Sequence, residues 1–279
     1  MSKKIGFIDY YLDEWHANNY PAWIEKASNG EYTVAYAYGE IDSPLGGRTT
    51  EQWCKDMGVE HIKSMDEIIE KSDVLILLSP DNPEMHWPLC QKPLRAGKRI
   101  YVDKTFAPTA QIARDLFKLA EDHNTPMFSS SALRFAKELS ELPEKEVRFV
   151  LLGGPGNPSN YLIHQIEPMV QLIKENALRV MYNGVAGAAS YTVEFENGKM
   201  GVANLLISGP FQTTVKFTDD SVVAIPESTE TFDRLIPAMI NFFETGEVPV
   251  DGKETVIIAE ILEAAHKAEE TPGKWVDIR

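Results

Sequence analysis

The sequence predicts an α/β protein in which an N-terminal, doubly wound parallel sheet precedes a smaller C-terminal α+β domain with a mainly antiparallel open sheet. Three observations lead to this fold class. Short, continuously apolar segments alternate with helical patterns up to about residue 130, strand segments then surround an Asn-Gly turn, and two amphipathic helices close the chain. We therefore expect a first domain over residues 1–130 and a second over 131–279.

Five segments of the first domain have the length and composition of strands that are buried on both faces of a parallel sheet. They lie at residues 5–8, 32–38, 74–78, 100–102 and 127–128. Before the third of them, Ser64 and Glu67 have the spacing of a capping box in front of Ile68, which predicts the start of a helix. Strands that alternate with helices in this way are typical of a doubly wound sheet.

The second domain begins with a predicted strand at 147–152, which runs into a loop rich in glycine and proline. Further strands are predicted at 191–195, 200–207 and 213–217, and Asn197-Gly198 between the first two of these is a strong hairpin signal. Apolar residues at helical spacing over 232–243, followed by Gly246, predict a helix that ends at this glycine. A last helix is expected after Asp251-Gly252.

The charge and cysteine content exclude several classes of function. The 42 acidic residues outnumber the 27 basic residues, and a net charge of −15 repels both the phosphate backbone of nucleic acids and anionic membranes. Cys54 and Cys90 form neither a CxxC motif nor a Cys/His cluster, so they indicate neither a disulfide framework nor a zinc site. Since no segment has the pattern of a signal peptide or a membrane span, we expect a cytoplasmic protein.

A series of motifs then follows in a fixed order. It consists of Ser79-Pro80, His86, Gly97-Lys98, Asp103-Lys104-Thr105, Arg134-Phe135 and Gly246-Glu-Val-Pro249. In order and spacing, the series resembles the glucose-fructose oxidoreductase / inositol dehydrogenase / MocA (Gfo/Idh/MocA) family, over nearly the whole chain. The resemblance implies a Rossmann-like first domain, an NAD or NADP cofactor, and a homodimer or homotetramer.

By this resemblance, the protein is expected to be an NAD(P)-dependent oxidoreductase that acts on a sugar, a cyclitol or a related polyhydroxylated compound. Oxidation of a carbinol carbon requires a group that exchanges a proton with the oxygen. The resemblance assigns this role to Lys104 and His164, although a solvated lysine at a strand end and a core histidine are the alternatives. The implied cofactor contacts are Ile8, Tyr10, Ser79, Pro80, His86, Asp103 and Lys104. The implied substrate contacts are Asn160, Tyr161 and His164.

The chain departs from the family at the glycine fingerprint after the first strand. The three positions where glycines let the backbone approach a pyrophosphate fall near Asp9, Tyr11 and Glu14. We therefore expect Asp9, Asp13 or Glu14 to take the place of the pyrophosphate at the start of the next helix. The alternative is a loop that bulges outward and leaves a nucleotide bound by other edges. Asp9, Asp13 and His16 also suggest metal ligands, but a polar turn explains them better.

These departures leave three functions open. The first is the oxidoreductase, and the second is a non-catalytic or cofactor-poor relative that keeps the fold as a binding or subunit protein. The third is a lyase or hydratase that uses Lys104 and His164 for acid–base chemistry.

Overall fold

In a computed structural model, which describes residues 2–278, the chain divides into two units. The first comprises residues 2–107, 111–130 and 235–252, and the second comprises 108–110, 131–234 and 253–278. One boundary between the units follows residue 130, and residues 235–252 pack with the first unit. The predicted domains, residues 1–130 and 131–279, remain a prediction.

The first unit contains a six-stranded, wholly parallel sheet in the order β3-β2-β1-β4-β5-β6. Its strands are β1 (Lys3–Asp9), β2 (Tyr32–Gly39), β3 (Glu60–His61), β4 (Val74–Leu77), β5 (Ile100–Val102) and β6 (Met127–Phe128). The doubly wound fold is confirmed. The order reverses between β1 and β4, and in open α/β sheets the ligand crevice lies at the carboxyl ends of strands at such a point.

Helices account for the burial of this sheet on both faces. They are α1 (Trp15–Ala27), α2 (Thr50–Met57), α3 (Met65–Lys71), α4 (His86–Cys90) and α5 (Ala110–Asp122). All four residues of β4 are buried, as are Ile5, Phe7 and Ile8 of β1. The continuous apolar runs of the sequence therefore reflect cover on both sides of the sheet. Ser64 precedes α3 as expected, but its side chain makes no capping hydrogen bond.

The second unit contains a seven-stranded mixed sheet in the order β12-β11-β7-β10-β9-β8-β13. Its strands are β7 (Val147–Gly154), β8 (Ala177–Val185), β9 (Ala188–Phe195), β10 (Met200–Leu206), β11 (Gln212–Phe217), β12 (Val222–Ile225) and β13 (Trp275–Asp277). Only the β7–β10 pair among them is parallel. The predicted, mainly antiparallel sheet is confirmed, and it has more strands than the sequence indicated.

The remaining helices are α6 (Lys137–Ser140), α7 (Pro158–Tyr161), α8 (Ile163–Ile173), α9 (Thr231–Thr245) and α10 (Gly252–Glu269). Apolar side chains of α8 and α10, among them Ile166, Met169 and Ile261, form one core with the buried face of the second sheet. The predicted hairpin is present: Asn197 and Gly198 have positive φ angles of 58° and 69° between the antiparallel strands β9 and β10.

The C-terminal half of α9 belongs to the first unit because of its aromatic contacts. The Phe242 ring packs edge-on against that of Phe128 with centroids 5.0 Å apart, and Phe243 lies 6.1 Å from Tyr32. Arg99 also donates a hydrogen bond to the carbonyl oxygen of Phe243 at 2.6 Å. No helix within residues 2–278 has both the length and the apolar character needed to cross a membrane.

A glycine in β1 permits the close approach of α3. A Cβ atom at Gly6 would lie 2.3 Å from Ser72 Oγ and 2.9 Å from Ile68 Cγ1, whereas one at Gly153 in β7 would find its nearest neighbour at 3.8 Å. Because overpacking of a tight core is costly, Gly6→Ala is expected to lower the free energy of unfolding by about 1–3 kcal/mol, and Gly153→Ala by less. Urea denaturation of both variants measures this, and equal losses would contradict the close packing.

Candidate functional site

The turn from β1 into α1 ends at Glu14, whose side chain caps the helix. Its carboxylate accepts hydrogen bonds from the backbone N–H groups of His16, at 2.7 Å, and of Ala17. Amides at a helix N-terminus have no partner within the helix, and they are the groups that hold a pyrophosphate in dinucleotide-binding folds. Glu14 is thus the one of the three acidic candidates that occupies them.

Asp13 has a different role from the one considered for it. Its carboxylate accepts hydrogen bonds from the Arg48 guanidinium at 2.7 and 3.1 Å and from the Arg48 backbone N–H at 2.8 Å. Hydrogen bonding to Arg48 lowers the pKa of Asp13. Asp13 therefore fastens the loop before α2 and carries a charge that Arg48 balances.

Asp9, at the position of the first fingerprint glycine, is only 1% exposed. It accepts a hydrogen bond from the Ser79 hydroxyl at 2.9 Å, and the same oxygen of Ser79 accepts one from the backbone N–H of Tyr10. Ser79 thereby ties the carboxyl end of β1 to that of β4. Burial raises the pKa of Asp9 to about 8.

Glu14 responds to the same surroundings. Burial raises its pKa to about 8, and the negative charge of Asp9 contributes in the same direction. Burial therefore favours the protonated form of a carboxyl group at this site. Occupied amides and side-chain bulk both keep a phosphate group away from the turn.

His16 and Asp103 form a buried pair beside these carboxyl groups. The imidazole Nδ1 is hydrogen-bonded to the Asp103 carboxylate, and the ring stacks on Tyr20 with centroids 5.0 Å apart and planes 11° from parallel. Asp103 also accepts from the Tyr101 hydroxyl at 3.1 Å and from the Lys104 backbone N–H at 2.8 Å. Burial by itself lowers the pKa of His16, but Asp103 raises it above the ordinary value overall.

From the sequence, His16 is a candidate only for metal binding. The sequence does not predict its pairing with Asp103. A carboxylate only accepts hydrogen bonds, so the Nδ1 atom of His16 carries a proton. Within residues 2–278, no group of three or more His, Cys, Asp or Glu side chains is arranged to hold a metal ion.

Lys104 is the second residue after β5 and is 7% exposed. Its ammonium group donates a hydrogen bond to the Pro80 carbonyl oxygen at 3.1 Å and lies 3.6 Å from the Asp81 carboxylate. Since β4 and β5 are adjacent, Ser79, Pro80, Asp103 and Lys104 meet at one edge of the sheet, where Tyr10 follows the last residue of β1. The structure thus brings five of the proposed cofactor-contact residues together.

Two further proposed contacts, Ile8 and His86, are placed differently. Ile8 is wholly buried within β1, and its side chain offers no surface to a nucleotide. His86 is also wholly buried, with Nε2 at 2.7 Å from the Leu78 carbonyl oxygen and Nδ1 at 2.9 Å from that of Phe106. His86 connects the segments that follow β4 and β5, and burial lowers its pKa. This placement indicates a structural role rather than a direct cofactor contact.

In the second unit, His164 lies in the first turn of α8. Its Nδ1 atom is 2.7 Å from the Ser131 hydroxyl oxygen, and its ring has edge-on contacts with Tyr161 at 5.3 Å and Phe211 at 5.8 Å between centroids. Asn160 lies in α7, where its backbone N–H donates to the side chain of Asn157. The proposed substrate contacts Tyr161 and His164 are therefore adjacent.

A buried ion pair lies one helical turn beyond His164. The Arg134 guanidinium donates to the Glu167 carboxylate at 2.9 Å and also bonds Glu254 on α10. Arg134 and Glu167 are 7% and 3% exposed. The sequence does not predict the contacts of Ser131 and Glu254. A single serine, or a glutamate of the kind usual at a surface, shows no pattern that reveals partners distant along the chain.

Comparison with known proteins agrees with the expected resemblance. The model of the Gfo/Idh/MocA oxidoreductase family, NAD-binding Rossmann fold, matches residues 44–131. This match begins after the segment in which side chains replace the fingerprint glycines. A search of curated proteins finds no match.

Solved structures show the same fold over the full chain. The myo-inositol dehydrogenase of Lactobacillus casei in complex with NAD(H) and myo-inositol is 15% identical, with a TM-score of 0.80, over 100% of this chain and 97% of that one. The scyllo-inositol dehydrogenase of the same organism, with NAD(H) and scyllo-inositol, is 12% identical with a TM-score of 0.73 over 100% and 99%. The resemblance to the family is confirmed, and the fold is that of inositol dehydrogenases.

The raised pKa of Asp9 predicts a dependence of stability on pH. In the native state Asp9 keeps its proton until the pH approaches its pKa of about 8. An aspartate in the unfolded chain loses its proton near the ordinary aspartate pKa. The native state therefore binds more protons in between, and the free energy of unfolding falls as the pH rises through this window.

Asp9→Asn is expected to reduce this fall by about 1 kcal/mol or more between about pH 5 and pH 8, because the amide has no proton to lose. Chemical denaturation at several pH values measures the effect. The exposed Asp66, in Asp66→Asn, serves as the control and should preserve the wild-type slope. An unchanged slope in Asp9→Asn would show that Asp9 is ionised in the native protein.

Proposed function

We propose that this chain, which carries the NAD-binding Rossmann-type domain of the Gfo/Idh/MocA oxidoreductases, is a cofactor-poor relative of them. It binds a small polyhydroxylated compound, such as a sugar or a cyclitol, and does not turn over NAD or NADP. The observation that carries this proposal is the carboxylate of Glu14 on the amides of His16 and Ala17.

The residues present do not fit a pyrophosphate bound in the manner of the fingerprint. In that arrangement two glycines allow the backbone to approach the phosphates, and the helix amides bind them. Here Asp9 and Tyr11, both nearly buried, bring side chains to the glycine positions, and Glu14 already satisfies two amides. A dinucleotide in this position would have to displace the Glu14 side chain. It would also meet the Asp9 side chain, which is buried.

The class of ligand follows from the remaining polar groups and from the relatives. Lys104 in the first unit and Tyr161 and His164 in the second are donors suited to the oxygen atoms of a polyhydroxylated compound. The two solved relatives contain myo-inositol and scyllo-inositol. We extend this ligand class to the present chain, with Lys104 and His164 as the groups that donate hydrogen bonds to its oxygen atoms.

A second candidate is the NAD(P)-dependent dehydrogenase of a sugar or cyclitol, with Lys104 and His164 as the acid–base pair. It is favoured by the position of Lys104, whose ammonium lies at the carboxyl ends of β4 and β5. This function requires a nucleotide held by Ser79, Pro80, Asp103 and Lys104 instead of by the helix amides.

Ligand-induced stabilisation separates the two functions. We expect the melting temperature to remain unchanged with about 1 mM NAD or NADP and to rise with at least one member of a panel of sugars and cyclitols, since a ligand stabilises only the state that binds it. Lys104→Ala should remove the rise, and Lys92→Ala, which changes an exposed lysine paired with Asp66, should keep it. Sub-micromolar affinity for NAD or NADP in calorimetry would overturn the proposal.

Turnover provides the corresponding test of the second candidate. If the purified protein reduces NAD or NADP with a sugar or cyclitol, and if both Lys104→Ala and His164→Ala abolish this reaction, the dehydrogenase replaces the cofactor-poor relative. Absence of reduction throughout the panel, together with binding of a polyhydroxylated compound, is the result we expect.

We also propose a homodimer or homotetramer formed through the second unit. The apolar side chains of Val185, at the end of β8, and Ile207, just after β10, are 74% and 77% exposed. Light scattering should give a mass of at least twice 31.3 kDa, and the charged variant Ile207→Asp should lower it, while Val222→Asp at the far strand β12 should not. A monomer at all protein concentrations would refute the assembly.

Location in the cytoplasm is likewise proposed, supported by the two cysteines, which are both buried and unpaired.

A further inference from the structure

The residue after His164 on α8 is a glutamine whose side-chain amide is buried. Gln165 has no exposed surface. Within residues 2–278, neither its Nε2 nor its Oε1 atom has a hydrogen-bond partner. We propose that this carboxamide binds two neighbouring hydroxyl groups of the ligand, and that the ring of Phe211 covers it until the ligand displaces the ring.

An unpaired amide in the interior of a protein is unfavourable. Buried polar groups almost always have hydrogen-bond partners, because the loss of water without a replacement destabilises the native state. The other buried polar side chain of α8, Glu167, has such a partner in Arg134. The neighbouring buried positions of the helix hold apolar residues such as Ile166 and Met169. Since an apolar residue would also suit position 165 for folding, the amide is better explained by binding.

The amide is directed towards the carboxyl end of β7. A Cβ atom at Gly154, the last residue of β7, would lie 3.1 Å from Nε2 of Gln165 and 2.5 Å from Cδ1 of Phe211. The amide and the ring therefore meet over this glycine. The ring of Phe211 is also 5.8 Å from that of His164 between centroids. Gln165 thus lies beside the residues that we propose as ligand contacts.

These side chains form a cluster that reaches the surface of the second unit. Tyr161 is exposed, and His164 and Phe211 are half-buried, whereas Gln165 is wholly buried. A ligand that contacts Tyr161 and His164 therefore lies on the outer side of the cluster. It reaches the amide of Gln165 once the ring of Phe211 has turned aside.

The ring of Phe211 can move while its backbone stays in place. The carbonyl oxygen of Phe211 accepts a hydrogen bond from the backbone N–H of Ser228 at 2.8 Å. The preceding residues, 207–210, are exposed. Rotation about the side-chain bonds of Phe211 therefore uncovers the amide without breaking a backbone hydrogen bond. Because an aromatic ring is only a weak acceptor for N–H, Phe211 covers the amide without satisfying it.

The carboxamide determines which ligand groups fit. It presents an acceptor, Oε1, and a donor, Nε2, side by side, and a hydroxyl can both donate and accept. Two hydroxyls on neighbouring carbons therefore satisfy it, one by donating to Oε1 and the other by accepting from Nε2. This step rests on the proposed function, which supplies the ligand class. It adds that the ligand carries a pair of neighbouring hydroxyls on the side that faces β7.

The first test is the stability of the full chain without ligand. Gln165→Met keeps an unbranched side chain and removes both polar atoms. We expect its melting temperature to rise by about 2 °C or more, because an unpaired buried amide is replaced by an apolar group. A lower melting temperature would overturn the proposal, since it would mean that the amide is already satisfied, for example by an internal water molecule.

Calorimetric titration with myo-inositol, scyllo-inositol and glucose tests the contact with the ligand. For the compounds that bind the wild type, Gln165→Met should weaken binding at least about tenfold, as expected for the loss of two hydrogen bonds. Gln171→Met makes the same change at a half-buried position of the same helix and should keep the wild-type affinity. Equal affinity of Gln165→Met and the wild type would refute the contact and leave the proposed function standing.

A second ligand tests the pattern of hydroxyls. In an all-cis cyclohexane triol with its hydroxyls on alternate carbons, the equatorial oxygen atoms lie too far apart to bind one carboxamide together. This triol should bind the wild type and Gln165→Met with equal affinity. A loss of its binding in Gln165→Met that matches the loss for the inositols would contradict the requirement for neighbouring hydroxyls.

Phe211→Ala tests the cover. Without the ring, the covered state no longer competes with the ligand, so the affinity for the same compound should increase about two- to fivefold. Weaker binding would show that the ring is part of the site and would overturn its role as a cover. If none of the three compounds binds either the wild type or Phe211→Ala, the proposed function fails together with the contact. If they bind and only the comparison with Gln165→Met shows no difference, the contact alone fails.

Discussion

The backbone N–H groups at the start of α1 need an acceptor, and the way in which this need is met determines the rest of the candidate site. In dinucleotide-binding folds the acceptor arrives with the ligand, and glycines keep its path open. In this chain Glu14 is the acceptor, so the turn no longer requires glycine, and Asp9 can lie beneath it with a hydrogen bond to Ser79. The burial that results raises the pKa of both carboxyl groups above their ordinary values.

Much of the first unit could be predicted because its strands are covered on both faces, so that local composition reflects tertiary burial. The segments around Ile5, Val74 and Ile100 were recognised for this reason, whereas β3, with two residues, is too short to leave a pattern. In the second unit, β8 was not predicted because polar residues and Gly184 interrupt its apolar positions. Both of these strands are defined by their neighbours in the sheet and not by their own sequence.

In the candidate site, too, some features follow from the local sequence and others depend on residues that are distant along the chain. The replaced glycines were visible in the sequence, and so was the expectation that an acidic side chain would occupy the helix amides. The choice of Glu14 over Asp13 depends on Arg48, which lies more than thirty residues away and binds Asp13. The partners of His16 and His164 are equally remote along the chain, and an Asp or a Ser near a strand end carries no sign of which imidazole it will meet.

The return of residues 235–252 to the first unit has a consequence for synthesis. Phe242 and Phe243 fill space beside Phe128 and Tyr32, and Arg99 is bound to the end of the same helix. All of the strands of the first sheet have been translated by residue 128, yet part of its core arrives only when some nine-tenths of the chain has left the ribosome. During translation, aromatic surface of the N-terminal sheet therefore stays uncovered until the strands of the second unit from β7 to β12 have been made.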